Sequence, residues 1–150
     1  MTGIKVIIEP AALQGALEPR YDEESRILAA ESPVSAEWPF GVDIDGRMVF
    51  DLGPDRTLMN FDLHVGCQLW EEDPRLSWPA ATRRGRLVFA EEAIATKSFN
   101  LPLRVTTDRE CRLVRIDIGS AQGGTPIAIS NDCVALQRNG DLVGFVVRLL

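Results

Sequence analysis

Apolar and polar residues alternate in three separate stretches of this chain. In the first, Met59, Phe61, Leu63 and Val65 share one parity, and Asn60, Asp62 and His64 the other. In the second, Phe99, Leu101, Leu103 and Val105 alternate with Asn100, Pro102 and Arg104. In the third, Val143, Phe145, Val147 and Leu149 alternate with Gly144, Val146 and Arg148. Successive side chains of a strand point to opposite faces, so each stretch predicts a strand with one buried and one wet face. Pro102 and Val146 are the two departures. Proline offers no N–H to a ladder, so Pro102 predicts an edge or a bulge.

Each alternating strand closes a longer pattern. Ser25-Arg-Ile-Leu28, Cys67-Gln-Leu-Trp70 and Cys111-Arg-Leu-Val114 share a small–polar–apolar–apolar order, and each is followed by a turn-rich segment with a proline: Pro39, Pro79 and Pro126. A short apolar run comes next, and then the alternating strand. Self-similarity at a period of roughly 40 residues is the signature of repeated structure. The expectation is three copies over 25–66, 67–106 and 107–150, after an N-terminal strand and lead-in over 1–24. Ile4 to Glu9 reads as a strand stopped by Pro10. Ala11 to Leu17 reads as one or two helical turns, and Ala90 to Lys97 as one. Asp45-Gly46 and Asn139-Gly140 are hairpin signals, because both central residues of the favoured tight turn need positive φ. About four short strands per copy predict a single all-β domain over 1–150. A β-trefoil-like closed barrel is the first expectation, with a β-prism or a sandwich as the alternatives.

Charge narrows the partners. A net charge of −6 over 150 residues argues against a phosphate-backbone binder, which needs a basic surface. It suits a basic protein partner. No apolar stretch approaches the roughly 18 residues that span a bilayer, and no secretory-signal pattern opens the chain. Cys67, Cys111 and Cys133 form no CxxC pair, so neither a disulfide framework nor a zinc site is suggested. The expected location is cytoplasmic; oligomeric state is not legible.

Candidate chemistry is sparse. His64 is the single histidine, and His64-x-x-Cys67 supplies two ligands where zinc needs three or four. There is no Gly-x-Ser-x-Gly elbow and no phosphate-binding glycine loop. The expectation is therefore a protein with no catalytic set, metal or cofactor. Cys133 falls at a small core position. Arg83-Arg84-Gly85-Arg86 reads as a solvated turn, with an anion clamp as the alternative.

Two acidic runs lie in predicted loops, Asp22-Glu23-Glu24 and Glu71-Glu72-Asp73, the second beside Trp70. Trp is enriched at binding hot spots, so these seven residues are the candidate partner-binding set. The function they suggest is non-enzymatic protein binding, as by an acidic immunity or inhibitor protein that neutralises a basic toxin enzyme. The alternative is a carbohydrate-binding module, because Gln68-Leu-Trp70 resembles the Gln-x-Trp of ricin-type lectins. It occurs once and near the start of a copy, whereas those lectins carry it towards the end of each. A third reading, a carboxylate-based hydrolase, requires a cleft holding two carboxylates with divergent pKa values.

Overall fold

The computed structural model describes residues 3–11, 17–34, 36–120 and 123–149. The helical turns expected after Pro10 fall mostly outside these residues. In chain order the strands are β1 (Ile4–Pro10), β2 (Glu18–Asp22), β3 (Ile27–Glu31), β4 (Phe40–Ile44), β5 (Met48–Leu52), β6 (Leu58–Leu63) and β7 (Glu71–Glu72). They continue with β8 (Arg83–Phe89), β9 (Ser98–Phe99), β10 (Leu103–Thr107), β11 (Leu113–Ile118), β12 (Thr125–Ser130), β13 (Cys133–Arg138) and β14 (Asp141–Arg148). Among the described residues one α-helix, α1 (Glu91–Thr96), forms where one turn was expected.

The all-β expectation holds, and the strands form two sheets. One has the order β2-β3-β6-β5-β4-β9; the other runs β1-β8-β12-β13-β14-β11-β10-β7, with β1 also paired to β14. That extra pairing closes part of the larger sheet into a ring without making the whole a barrel. The three copies and the trefoil are not confirmed. The sheets instead contain one strand order twice: β2-β3-β6-β5-β4 and β10-β11-β14-β13-β12. Both runs are antiparallel throughout. These correspond to the first and third expected copies, each with one preceding strand.

The middle segment is distributed differently. Its β7 and β8 join the larger sheet and β9 the smaller, each through a parallel pairing with a strand of one of the two runs. The continuous strand expected over Phe99–Val105 is split at Pro102. Phe99 ends β9, Leu103 begins β10, and the two belong to different sheets. Arg83-Arg84-Gly85-Arg86 is likewise not a turn but the first half of β8, paired with β1 on one side and β12 on the other.

Register follows from the sequence pattern where turn chemistry is strong. Asp45 and Gly46 have φ of 53° and 68°, and the Arg47 N–H closes the turn on the Ile44 carbonyl at 2.9 Å. Asn139 and Gly140 have φ of 52° and 80° between the paired Arg138 and Asp141. These positive values are what Asp-Gly and Asn-Gly tolerate and β-branched residues do not.

Pairing makes Phe61 opposite Ala30 equivalent to Phe145 opposite Ile116. Those two rings meet in the core, 4.7 Å between centroids, and Phe50 and Phe89 complete the cluster at 5.2 Å from each other. All four are fully buried. Of the twelve apolar positions on the alternating stretches, none is exposed.

Candidate functional site

The two equivalent strand runs share an inner face and differ on the outer one. In the second run, Val134, Leu136, Val143 and Val146 form a small buried cluster of their own, covered by Trp78. The Arg148 guanidinium lies over that indole, 4.4 Å from the ring centroid. Val146 breaks the alternation because both faces of its strand are buried.

In the first run, pairing puts Asp62 and Asp51 where the second has Val146 and Leu136. Both carboxylates are half-buried. Ala29, Asp62, Val49 and Asp43 lie in one row across β3, β6, β5 and β4; Glu31, Asn60, Asp51 and Gly41 form the next. These side chains are half-buried or exposed, while their chain neighbours Leu28, Ala30, Phe50, Phe61 and Leu63 face the core.

Carboxylates dominate the middle of this face. Glu31, Asp51 and Asp62 have no lysine or arginine at ion-pair distance among the described residues. Burial pushes the Asp62 carboxyl above its ordinary range, and the Asp51 and Glu31 charges add to that, against a smaller opposing influence of His64. Burial raises Asp51 as well, partly offset by a hydrogen bond with Asn60. Asp43 is engaged by the Ser98 hydroxyl at 2.9 Å and the Gly46 N–H at 3.1 Å. Arg20 is on the same face, opposite Ala29, and lies 3.9 Å from Glu18.

The predicted partner-binding residues divide. Asp22, Glu23 and Glu24 are exposed in the β2–β3 turn, at the edge of the same face. A shallow depression there is lined by Arg20, Asp22, Ala29, Glu31 and Asp62. Asp22 is held below its usual range by the Ser25 hydroxyl and the Glu24 N–H, which donate to its carboxylate at 2.8 and 3.1 Å. Trp70 is buried. Its ring meets Tyr21 edge-on at 5.1 Å, and its indole N–H donates to the Val65 carbonyl at 2.8 Å. Glu71 and Glu72 are exposed, but Arg104 donates to Glu71 at 2.8 Å and Arg109 stands 3.6 Å from Glu72. The Asp73 carboxylate accepts the Arg75 N–H at 3.0 Å. Trp70 thus packs inward against Tyr21 and is not an outward anchor. The partner-binding set read from the sequence lacks Glu31, Asp51 and Asp62, because carboxylates on three separated strands leave no run to notice. The one available signal was the pairing of Asp62 with the alternating-strand pattern.

Other expected chemistry is placed as follows. His64 and Cys67 are exposed, and the Cys67 backbone N–H donates to the Tyr21 hydroxyl at 2.9 Å. Cys133 is fully buried, and burial drives its thiol far above the usual range. Among the described residues, no three His, Cys, Asp or Glu side chains come together as a group that could hold a metal ion. No helix among them is long and apolar enough to cross a membrane. No protein-family model matches the chain, and no curated protein sequence is significantly similar to it.

Proposed function

We propose that this chain is a non-enzymatic protein-binding domain, an acidic inhibitory partner of a basic protein, and that it binds through the outer face of the six-stranded sheet. One observation carries the reading: Glu31, Asp51 and Asp62 share a sheet face with no lysine or arginine at ion-pair distance among the described residues, whereas the equivalent run has the covered, apolar Leu136 and Val146 in place of Asp51 and Asp62, and in place of Glu31 it has Asp117, paired with Arg115. A sheet face with small residues between carboxylates (Ala29, Gly41, Val49) lets a partner approach closely, and its charge steers a basic one. Asp22, Glu23 and Glu24 extend the acidic rim.

The other readings find less support. The Trp70 ring is buried against Tyr21 and offers no face on which a sugar could stack. The two raised carboxylates, Asp51 and Asp62, shift in the same direction and sit on an open sheet, whereas a hydrolase needs a divergent pair in a cleft.

The test is parallel capture from native lysate with three tagged proteins. These are the wild type, the triple variant Glu31→Gln/Asp51→Asn/Asp62→Asn, and the triple variant Glu71→Gln/Glu72→Gln/Asp73→Asn. The expected result is one stoichiometric basic protein, released by moderate salt, lost by the first variant and kept by the second. Retention by the first variant refutes the site, and no captured protein from the organism's own lysate refutes the function.

A further inference from the structure

A cavity of about 430 Å³ lies where the start of β6 faces β8 and β12. That is within the usual range of small-ligand sites, roughly 300–1,000 Å³. Among the described residues its apolar walls are Leu17, Trp38, Leu58, Met59, Leu87 and Ile129. Two polar atoms of the cavity lining are unaccounted for among the described residues: the Trp38 indole Nε1 and the Thr57 hydroxyl are buried and have no hydrogen-bond partner. Indole is a donor only, and a buried donor left unpaired keeps its desolvation penalty. Trp70, by contrast, satisfies its indole N–H on Val65.

The charged groups at the cavity select the ligand class. Arg86 lines it, but its guanidinium is already engaged by Glu9 and by Asp55, the latter at 3.2 Å. Asp55 also accepts the Thr57 N–H at 3.1 Å. Two carboxylates surround one guanidinium, so an anionic head group would meet excess negative charge. A cationic head group carries no acceptor for the indole. What remains is a neutral acceptor on an apolar body, to which the Thr57 hydroxyl can donate as the indole does.

We infer that this cavity binds a small, neutral, largely apolar molecule whose carbonyl oxygen accepts a hydrogen bond from the Trp38 indole N–H. The site stands independently of the interface proposed above, since neither the ligand nor the indole needs the acidic face.

The probe is methyl hexyl ketone, with octanoate as its anionic counterpart. The readouts are calorimetric affinity and the proton–nitrogen NMR signals of the three tryptophan indoles, the Trp38 signal being assigned by its loss in Trp38→Phe. The expected result is a saturable downfield shift of the Trp38 signal, with those of Trp70 and Trp78 little changed. Octanoate should bind at least about tenfold more weakly. Trp38→Phe should weaken the ketone about three- to tenfold, the loss of one neutral hydrogen bond. Met59→Trp, which fills the cavity from a half-buried wall position, should abolish binding while keeping a cooperative melt; should it not fold, Trp38→Phe and the NMR titration still decide. No saturable Trp38 shift at the solubility limit, undiminished affinity in Trp38→Phe, or octanoate binding as tightly would each overturn the inference.

Discussion

Neutralising one carboxylate on the acidic face should stabilise the fold, and Asp62→Asn is the sharpest case. Asp62 sits on β6 opposite Val49, and Asp51 opposite Asn60, so the two acids are diagonal neighbours on one face. Diagonal cross-strand side chains stand roughly 7 Å apart. Two unit charges at that distance repel by about 0.6 kcal/mol at the dielectric of water and about 2.4 kcal/mol at an effective value near 20. Because the face is half exposed, the lower part of that range applies, and Asp62→Asn should add about 1 kcal/mol near neutral pH. In a domain of this size that raises Tm by about 2–4 °C. The pH dependence has a definite sign. Asp62 is raised above its ordinary 3.8, by burial first and by Asp51 next. The folded chain therefore binds that proton more tightly than the unfolded one, and this group's penalty fades as pH falls through its folded pKa. The advantage of the variant should shrink on acidification, and be gone below about pH 3. Urea denaturation of both proteins across that pH range measures it, with added salt expected to reduce the neutral-pH difference. A variant less stable than wild type at neutral pH, or an advantage that does not change with pH, would refute the reasoning.

Gly144 faces the Ile116 carbonyl so closely that a Cβ would collide with its oxygen. Gly144→Ala should therefore cost about 1–3 kcal/mol, while Gly41→Ala, whose nearest atom would lie 3.8 Å away, should be neutral or stabilising by about 0.5 kcal/mol; urea titrations of the pair check both. A double-mutant cycle with Phe61→Leu and Phe145→Leu should return a coupling of about 0.5–1.5 kcal/mol, as expected for rings 4.7 Å apart. Thiol titration of the native protein should count two reactive cysteines, Cys67 and Cys111, with Cys133 appearing only on unfolding.

The sequence showed fold class and hairpin register because those are written locally. Asp45-Gly46 and Asn139-Gly140 demand a tight turn, and period-two alternation assigns Phe61 and Phe145 to the core side. Partner choice between strands is not local. Ser98-Phe99 and Leu103-Arg-Val-Thr-Thr107 read as one strand, and only tertiary pairing sends them to different sheets, on either side of Pro102. For the same reason the middle segment looked like a third copy. Its apolar order matches, but β8 is held by β1 and β12 instead of by its own neighbours. The candidate site was half legible. Asp22-Glu23-Glu24 stood out as a run; Glu31, Asp51 and Asp62 converge only when β3, β5 and β6 are laid side by side. Trp70 beside an acidic run looked like an anchor, because sequence cannot tell a Trp that points outward from one that closes a corner on Tyr21.

The contrast between the two outer faces bears most directly on function. A sheet face that nothing covers must be polar, since an exposed apolar patch invites association; solubility explains that much. It does not explain an excess of one sign of charge. Opposite charges across strands stabilise a sheet, and like charges destabilise it. This chain uses opposite pairs freely elsewhere, with Arg104 on Glu71, Arg115 on Asp117 and Arg148 on Asp132. On the outer face of β3, β6 and β5 it places Glu31, Asp62 and Asp51 together with no ion-pair partner among the described residues; burial raises Asp51 and Asp62, and the Asp51 charge adds to the rise at Asp62. Local stability lost at a surface position is characteristic of a position kept for binding. A basic partner would relieve the repulsion and recover that loss in the complex. The same substitution that stabilises the free protein, Asp62→Asn, should for this reason weaken the complex, and a surface chosen only for solubility would not couple the two effects.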